Sequence, residues 1–333
     1  MKRILRHSLL AIAVLAGSAS PALASEHIAL LVGGIDKIIY LPVKLAEQLG
    51  YFSREGLDVE LRSEYSGNQG VDDLLVGTVQ GVVGFYDHVI YMQSKGKAVV
   101  CLIQFAQAPG EVELVSTRMP GPVRSMADLK NRALGVTGLG SSTQFLSRYL
   151  TLSAGLKLNQ VTYVPVGTGD GFISAMNRGV IAAGMTTEPT ASRMLGSGQA
   201  SVLVDLRTPE DTARALGGPY PGSCLYMETA WVHRHQPEVQ KLVNALMKAL
   251  NFIQSHTAAE IADQLPPKFL TCDRATYAKA LAHSKAIFIP DGRMPANGPA
   301  HVLKLLTRTE KSVQGKNIDL ASTYTLQFVN AAR

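Results

Sequence analysis

From Ile28 onward the chain alternates short apolar runs with stretches whose apolar residues recur at helical spacing, the pattern of an α/β architecture with parallel strands. Ile28–Val32 carries no polar alternation, as expected of a strand covered on both faces. The next segment predicts a helix: Pro42 suits a first turn, Leu45, Ala46 and Leu49 share one face, and Gly50 stops it. Val59–Leu61 and Val82–Phe85 predict further strands, with a helix from about Gln69 to Val76 between them. The same order then recurs: strand Leu134–Val136, helix Ser142–Ala154, strand Val161–Val166, helix Phe172–Arg178 and strand Ile181–Met185. Two stretches, about 28–87 and 132–188, thus share the order β-α-β-α-β, which predicts two similar lobes rather than one long sheet.

Beyond Val202–Leu206 the chain passes through Gly217-Gly218-Pro219-Tyr220-Pro221-Gly222 to a short strand and then mostly helix. Val239, Leu242, Val243, Leu246 and Leu250 form one amphipathic face there, and this tail is expected to return to the first lobe. The chain would cross between lobes near residues 108–113 and 217–222. The domain reading is therefore 1–24 as an export segment, 25–110 with 220–333 as one lobe, and 111–219 as the other.

The start of the chain has its own logic. Lys2, Arg3 and Arg6 precede an apolar run from Leu9 to Ala16, and Ala22-Leu23-Ala24 follows Pro21, which reads as a secretory signal cleaved after Ala24. The apolar run is about half the roughly 20 residues that span a bilayer. Export to the periplasm is the expectation. There, three cysteines close at most one pair: Cys101 sits in an apolar strand-like run as a small hydrophobe, and a Cys224–Cys272 bridge is one option.

With 46% hydrophobic and 17% charged residues, a disordered chain is excluded. Three of the charges behind the net +6 lie in the export segment, leaving too little to argue for nucleic acid. Catalytic patterns are absent: there is no G-x-S-x-G elbow, H-E-x-x-H helix, C-x-x-C pair or phosphate-binding P-loop. His233-Arg234-His235 lacks a spaced third ligand and reads as surface. No metal and no cofactor are expected.

In open α/β sheets ligands bind beyond the carboxyl ends of strands, so six loops qualify: Gly33–Leu41, Glu64–Gly70, Tyr86–His88, Thr137–Thr143, Gly167–Gly171 and Thr186–Pro189. Thr137-Gly138-Leu139-Gly140-Ser141-Ser142-Thr143 opens a helix, whose unpaired N–H groups and dipole favour an anion. Ser141-x-x-Gln144 is also a capping box, which explains the serine without any ligand; the Gly138-x-Gly140 pair exceeds what capping needs. Asp87 reads as the N-cap of its helix, with His88 either facing the cleft or packed on the loop. Glu188 is a poor cap before Pro189, so it either holds a ligand amine or pairs with a neighbour such as Arg193. Tyr40, Phe85, Tyr86 and Tyr220 are candidate apolar walls.

Several blocks resemble one family: Leu41-Pro42 with Leu45-Ala46-Glu47-Gln48-Leu49-Gly50-Tyr51-Phe52, Glu55-Gly56-Leu57-Asp58-Val59-Glu60, Asp128-Leu129-Lys130, Gly135-Val136-Thr137 with Gly140-Ser141-Ser142-Thr143, and Glu188-Pro189. Together they resemble the periplasmic substrate-binding proteins of nitrate-, sulfonate- and taurine-type ABC importers, related to thiamine-pyrimidine binders. The resemblance implies a type II periplasmic binding protein: two α/β lobes that close on a small anionic or zwitterionic ligand and deliver it, as a monomer, to an ABC permease with its ATPase. It places Ser141, Ser142 and Thr143 at an anionic head group, with Asn68, Asp87, His88 and Glu188 nearby; the strand-end loops add Gly34, Tyr40, Leu41, Gly140 and Thr168. The chain departs from the family at the helix-to-strand turns, with Gln80 and Ala182 where Asp is usual. The competing expectations are an enzyme of the same fold, related to thiamine-pyrimidine or menaquinone synthesis, and a sensory binding protein.

Overall fold

A computed structural model describes residues 27–64, 70–119 and 121–332; the export segment 1–24 and Asn68 lie outside the described residues. Among these, ten strands form two five-stranded sheets. The first contains β1 (His27–Val32), β2 (Asp58–Ser63), β3 (Gly81–Phe85), β4 (Val99–Gln104) and, from far along the chain, β10 (Ser223–Glu228), in the order β2-β1-β3-β10-β4. The second contains β5 (Glu111–Ser116), β6 (Ala133–Val136), β7 (Thr162–Pro165), β8 (Ala183–Thr187) and β9 (Ala200–Leu206), in the order β7-β6-β8-β5-β9. The orders superpose strand for strand, so the repeated pattern in the sequence is a repeated sheet.

The expectation of parallel strands fails once in each sheet. β1 runs parallel to β2 and β3, and β6 to β7 and β8, but β10 and β5 are antiparallel to both their neighbours. The reason is topological: each of these strands is the first after the chain changes sheet, and it enters from the opposite end. β5 is also a strand where the sequence reading places a crossing segment. Glu111 and Glu113 interrupt its apolar run, yet all six residues are buried. Residues 105–110 and 207–222 are the actual crossings. They lie side by side: Gly222 N donates to Ala106 O (2.9 Å) and Ala106 N to Ser223 O (3.2 Å). A Cβ on Gly222 would stand 2.5 Å from Ala108 O, so this close approach needs glycine.

The helix Leu41–Gln48 has Pro42 in its first turn, and Gly50 with φ +67° ends the segment, as predicted. Against it packs Gln236–Ser255, with Val239, Leu242, Val243, Leu246 and Leu250 fully out of solvent; burial of such a side chain contributes about 1.5–3 kcal/mol. The tail therefore does return to the first sheet. It also reaches the second, because the helix Gly298–Thr309 packs on both Tyr86–Ser94 and Ser142–Ser153. Gln80, the departure from the usual Asp, still serves the turn: its Oε1 accepts from Ala29 N (2.8 Å). All three cysteines are free, so Cys224 and Cys272 are not bridged. Cys224 lies in the core on β10 beside Cys101 of β4, and burial, then the neighbouring thiol, push its pKa well up.

Candidate functional site

The carboxyl ends of the parallel strands of both sheets face one gap, and the loops there meet. Ile38 N, after β1, donates to Glu188 O, after β8 (3.0 Å). At the centre Lys37, Tyr40, Phe85 and His88 from the first sheet's loops face Thr137 and Ser141–Thr143 from the second, with Glu111 of β5 between them. The walls nearly fill this pocket, leaving about 10 Å³, room for about one water. It is flanked by a cleft of about 490 Å³ between Gly34, Asp36 and Glu64 on one side and Thr168, Asp170 and Arg193 on the other. A further pocket of about 200 Å³ lies between His88 with Tyr91 and Leu139 with Gly140.

The loop Thr137–Thr143 resolves which of its hydroxyls are already in use. Ser141 Oγ lies 2.6 Å from Gly138 O and 2.7 Å from Thr143 Oγ1, which lies 3.0 Å from Thr137 Oγ1. A carbonyl only accepts, so Ser141 donates to Gly138, Thr143 to Ser141, and Thr137 to Thr143. Thr143 Oγ1 also accepts from Thr137 N (2.9 Å) and Ser141 Oγ from Gln144 N (3.4 Å). Gln144 returns the cap one residue early, its Oε1 accepting from Gly140 N (2.7 Å). Ser141 and Thr143 thus build the loop. Ser142 Oγ, buried, has no hydrogen bond of sound geometry, although it sits close enough to Glu111 and Tyr220 to pull both ionisations down.

On the facing side Gly34 adopts φ +104°, and a Cβ there would lie 2.7 Å from Lys37 Cε. Glycine lets Lys37 fold back so that its Nζ donates to Gly33 O (2.6 Å). Burial lowers the Lys37 pKa, against the opposing pull of Asp36 and Glu111. Asp87 is not the expected N-cap. Phe85 holds that position in the helix Tyr86–Ser94, and Asp87, one residue inside, accepts from Tyr220 OH through Oδ2 (2.7 Å). The cap comes from His88, whose Nδ1 accepts from Phe85 N (3.4 Å). Burial lowers the His88 pKa, so the ring is neutral with its proton on Nε2. That atom has no hydrogen-bond partner, and Asp87 Oδ1, 3.7 Å away, has none either.

These loops hang on a scaffold whose ancestry is legible. Residues 39–259 match the family pattern described as NMT1/THI5 like. The chain belongs to the NMT1/THI5-like family. It is similar to a protein of known structure from Bordetella bronchiseptica RB50, at 33% identity over 92% of this chain and 96% of that one, with a TM-score of 0.86. It shares its fold with the periplasmic aliphatic sulphonate binding protein SsuA from Escherichia coli (20% identity, 89% and 91% covered, TM-score 0.66). The same holds for the periplasmic nitrate-binding protein NrtA from Synechocystis PCC 6803 (14%, 92% and 88%, TM-score 0.73). The desulfurization enzyme DSZB also has this fold (14%, 91% and 98%, TM-score 0.61). No curated protein matches the sequence. The fold is thus the two-sheet α/β fold of periplasmic binding proteins, as expected.

Within this NMT1/THI5-like chain several expected positions take other roles. Leu41 is wholly inside the first sheet's core and reaches no pocket described above. Thr168 lines the outer cleft, its hydroxyl 3.4 Å from that of Thr190. Glu188 is committed: Oε1 accepts from Arg207 (2.7 Å) and Oε2 from Ser192 N (2.9 Å). Arg207, not Arg193, is the partner, and Arg193 instead meets Asp170 (2.6 Å). Tyr86 turns away from the gap and bonds to Thr323. Lys37 and Glu111 escaped the sequence reading. A Lys in a strand-end loop was a readable signal, whereas Glu111 was hidden by the misread strand β5. Among the described residues no group of three or more His, Cys, Asp or Glu is placed to hold a metal, and none of their helices is long and apolar enough to cross a membrane.

Proposed function

We propose that this chain is the solute-binding component of an ABC importer, exported to the periplasm after cleavage behind Ala24, which captures a small polar solute between its lobes. The lobes comprise 25–110 with 220–333, and 111–219, and the crossings at 105–110 and 207–222 act as the hinge. The monomer then presents the solute to a permease with its ATPase. The observation that carries the reading is the convergence of unpartnered polar atoms from both lobes on one pocket: His88 Nε2 from the first, Ser142 Oγ and Glu111 Oε2 from the second. Buried polar groups are ordinarily paired, and a solute supplies the missing partners. Tyr40, His88, Ser142, Lys37 and Glu111 are the contacts; Gly34, Gly140, Ser141 and Thr143 shape the loops that present them. The acidic end of a zwitterionic solute belongs at Ser142, where the helix Ser142–Ser153 points its first N–H groups.

An enzyme of the same fold is the second reading, favoured by the neutral His88 beside Asp87. The two readings separate in one experiment. The exported chain, residues 25–333, freed of carried solute, is melted against sulfonates, carboxylates, amino acids and nitrogen heterocycles. A solute at about 1,000 times its Kd adds roughly 4 kcal/mol, a shift of several degrees. Ser142→Leu fills the pocket and abolishes that shift while leaving the ligand-free melting temperature in place. Recovery of the bound compound in altered form overturns the transport reading in favour of the enzyme.

A further inference from the structure

We infer that the solute carries a positively charged nitrogen, an amine or amidine, which lodges against Glu111, and that oxyanions lacking such a group are rejected. The inference rests on the solute-binding reading and names its ligand class. Glu111 is 2% exposed and Asp87, behind it, 0%. Glu111 Oε2 and Asp87 Oδ1 accept no hydrogen bond. Two buried carboxylates thus face a site that holds one ammonium, Lys37, already drawn onto Gly33 O. A bare oxyanion would add a third negative group to this set, whereas an N–H cation satisfies the idle acceptors and reduces the net charge. Burial and the Asp87 charge push Glu111 well above the carboxylate range, against the pull of Lys37; a cation opposite it would bring it back down.

Two more observations agree. The outer cleft is rimmed by Asp36, Glu64 and Asp170 against the single Arg193, which Asp170 pairs, so its field steers cations inward and slows anions. Tyr40 and Phe85, edge to face at 6.4 Å, supply aromatic surface, which suits a cation. The donors, Ser142 Oγ–H and His88 Nε2–H, remain for an acceptor elsewhere on the same molecule.

The test uses the exported chain, refolded free of carried solute, and matched probes: taurine against ethanesulfonate, β-alanine against propionate, benzamidine against benzoate, with nitrate as the bare oxyanion. The nitrogen-bearing member of at least one pair is expected to bind about tenfold tighter or better than its partner. Glu111→Gln collapses that ratio, Asp87→Asn reduces it, and Glu113→Gln, two residues along the same strand, leaves it unchanged. A ratio that persists in both Glu111→Gln and Asp87→Asn, each folded by its ligand-free melting curve, overturns the inference. So does tighter binding of nitrate or ethanesulfonate, which would leave the solute-binding reading intact. If no probe of either kind binds, and the chain purified from its own periplasm carries no nitrogenous solute, both readings fall together.

Discussion

Ser142 and Thr143 are adjacent and chemically alike, yet one is left over and the other is fully used. The difference lies in the hydrogen-bond chain that runs Thr137, Thr143, Ser141, Gly138. The capping reading and the ligand reading of this loop are both right, at different residues, and sequence had no means of dividing them. Glu188 makes the same point in reverse: its acidity was legible, but its commitment to Arg207 depends on a residue nineteen positions away. A second buried acid gives a prediction at this scale. Glu113, wholly buried with only Ser147 donating to it (2.7 Å), has its pKa raised from 4.5 to about 8 by burial. The folded state holds this proton more tightly than the unfolded one, so its contribution is complete below pH 4.5 and is lost as pH rises towards about 8. Urea unfolding across that window should show stability falling with pH, and Glu113→Gln should flatten the slope.

At the scale of elements, most of the fold was open to reading. Strands buried on both faces appear as unbroken apolar runs, and helices announce themselves by spacing, by Pro42 and by Gly50. What failed was β5, because Glu111 and Glu113 are acids buried for reasons outside their own strand. The reversed direction of β5 and β10 failed too, since direction follows from the crossings rather than from local pattern. At the end of β9 an ion cluster anchors the second crossing: Arg207 meets Glu188 at 2.7 Å and Asp205 at 2.6 Å, with Arg207 and Glu188 both buried. Removing one member of a buried pair leaves a stranded charge. Arg207→Met should therefore cost about 3–5 kcal/mol in chemical denaturation, and adding Glu188→Gln should restore much of it.

For the whole molecule, the two superposable sheets, the paired crossings and the polar gap between strand ends form one device. Each lobe supplies an incomplete set of hydrogen-bonding groups, and a solute completes both sets only when the lobes meet. Sequence reached this plan through the repeat and the family blocks. It did not reach the balance of charge in the gap, which arises from Lys37, Asp87 and Glu111 brought together from three separate loops. The most direct test of capture by closure is small-angle scattering on the refolded, solute-free chain, before and after adding the nitrogen-bearing probe that most raises its melting temperature. The account predicts that the radius of gyration falls on addition and that Ser142→Leu abolishes the fall. A solute that binds tightly while the radius stays constant would contradict it.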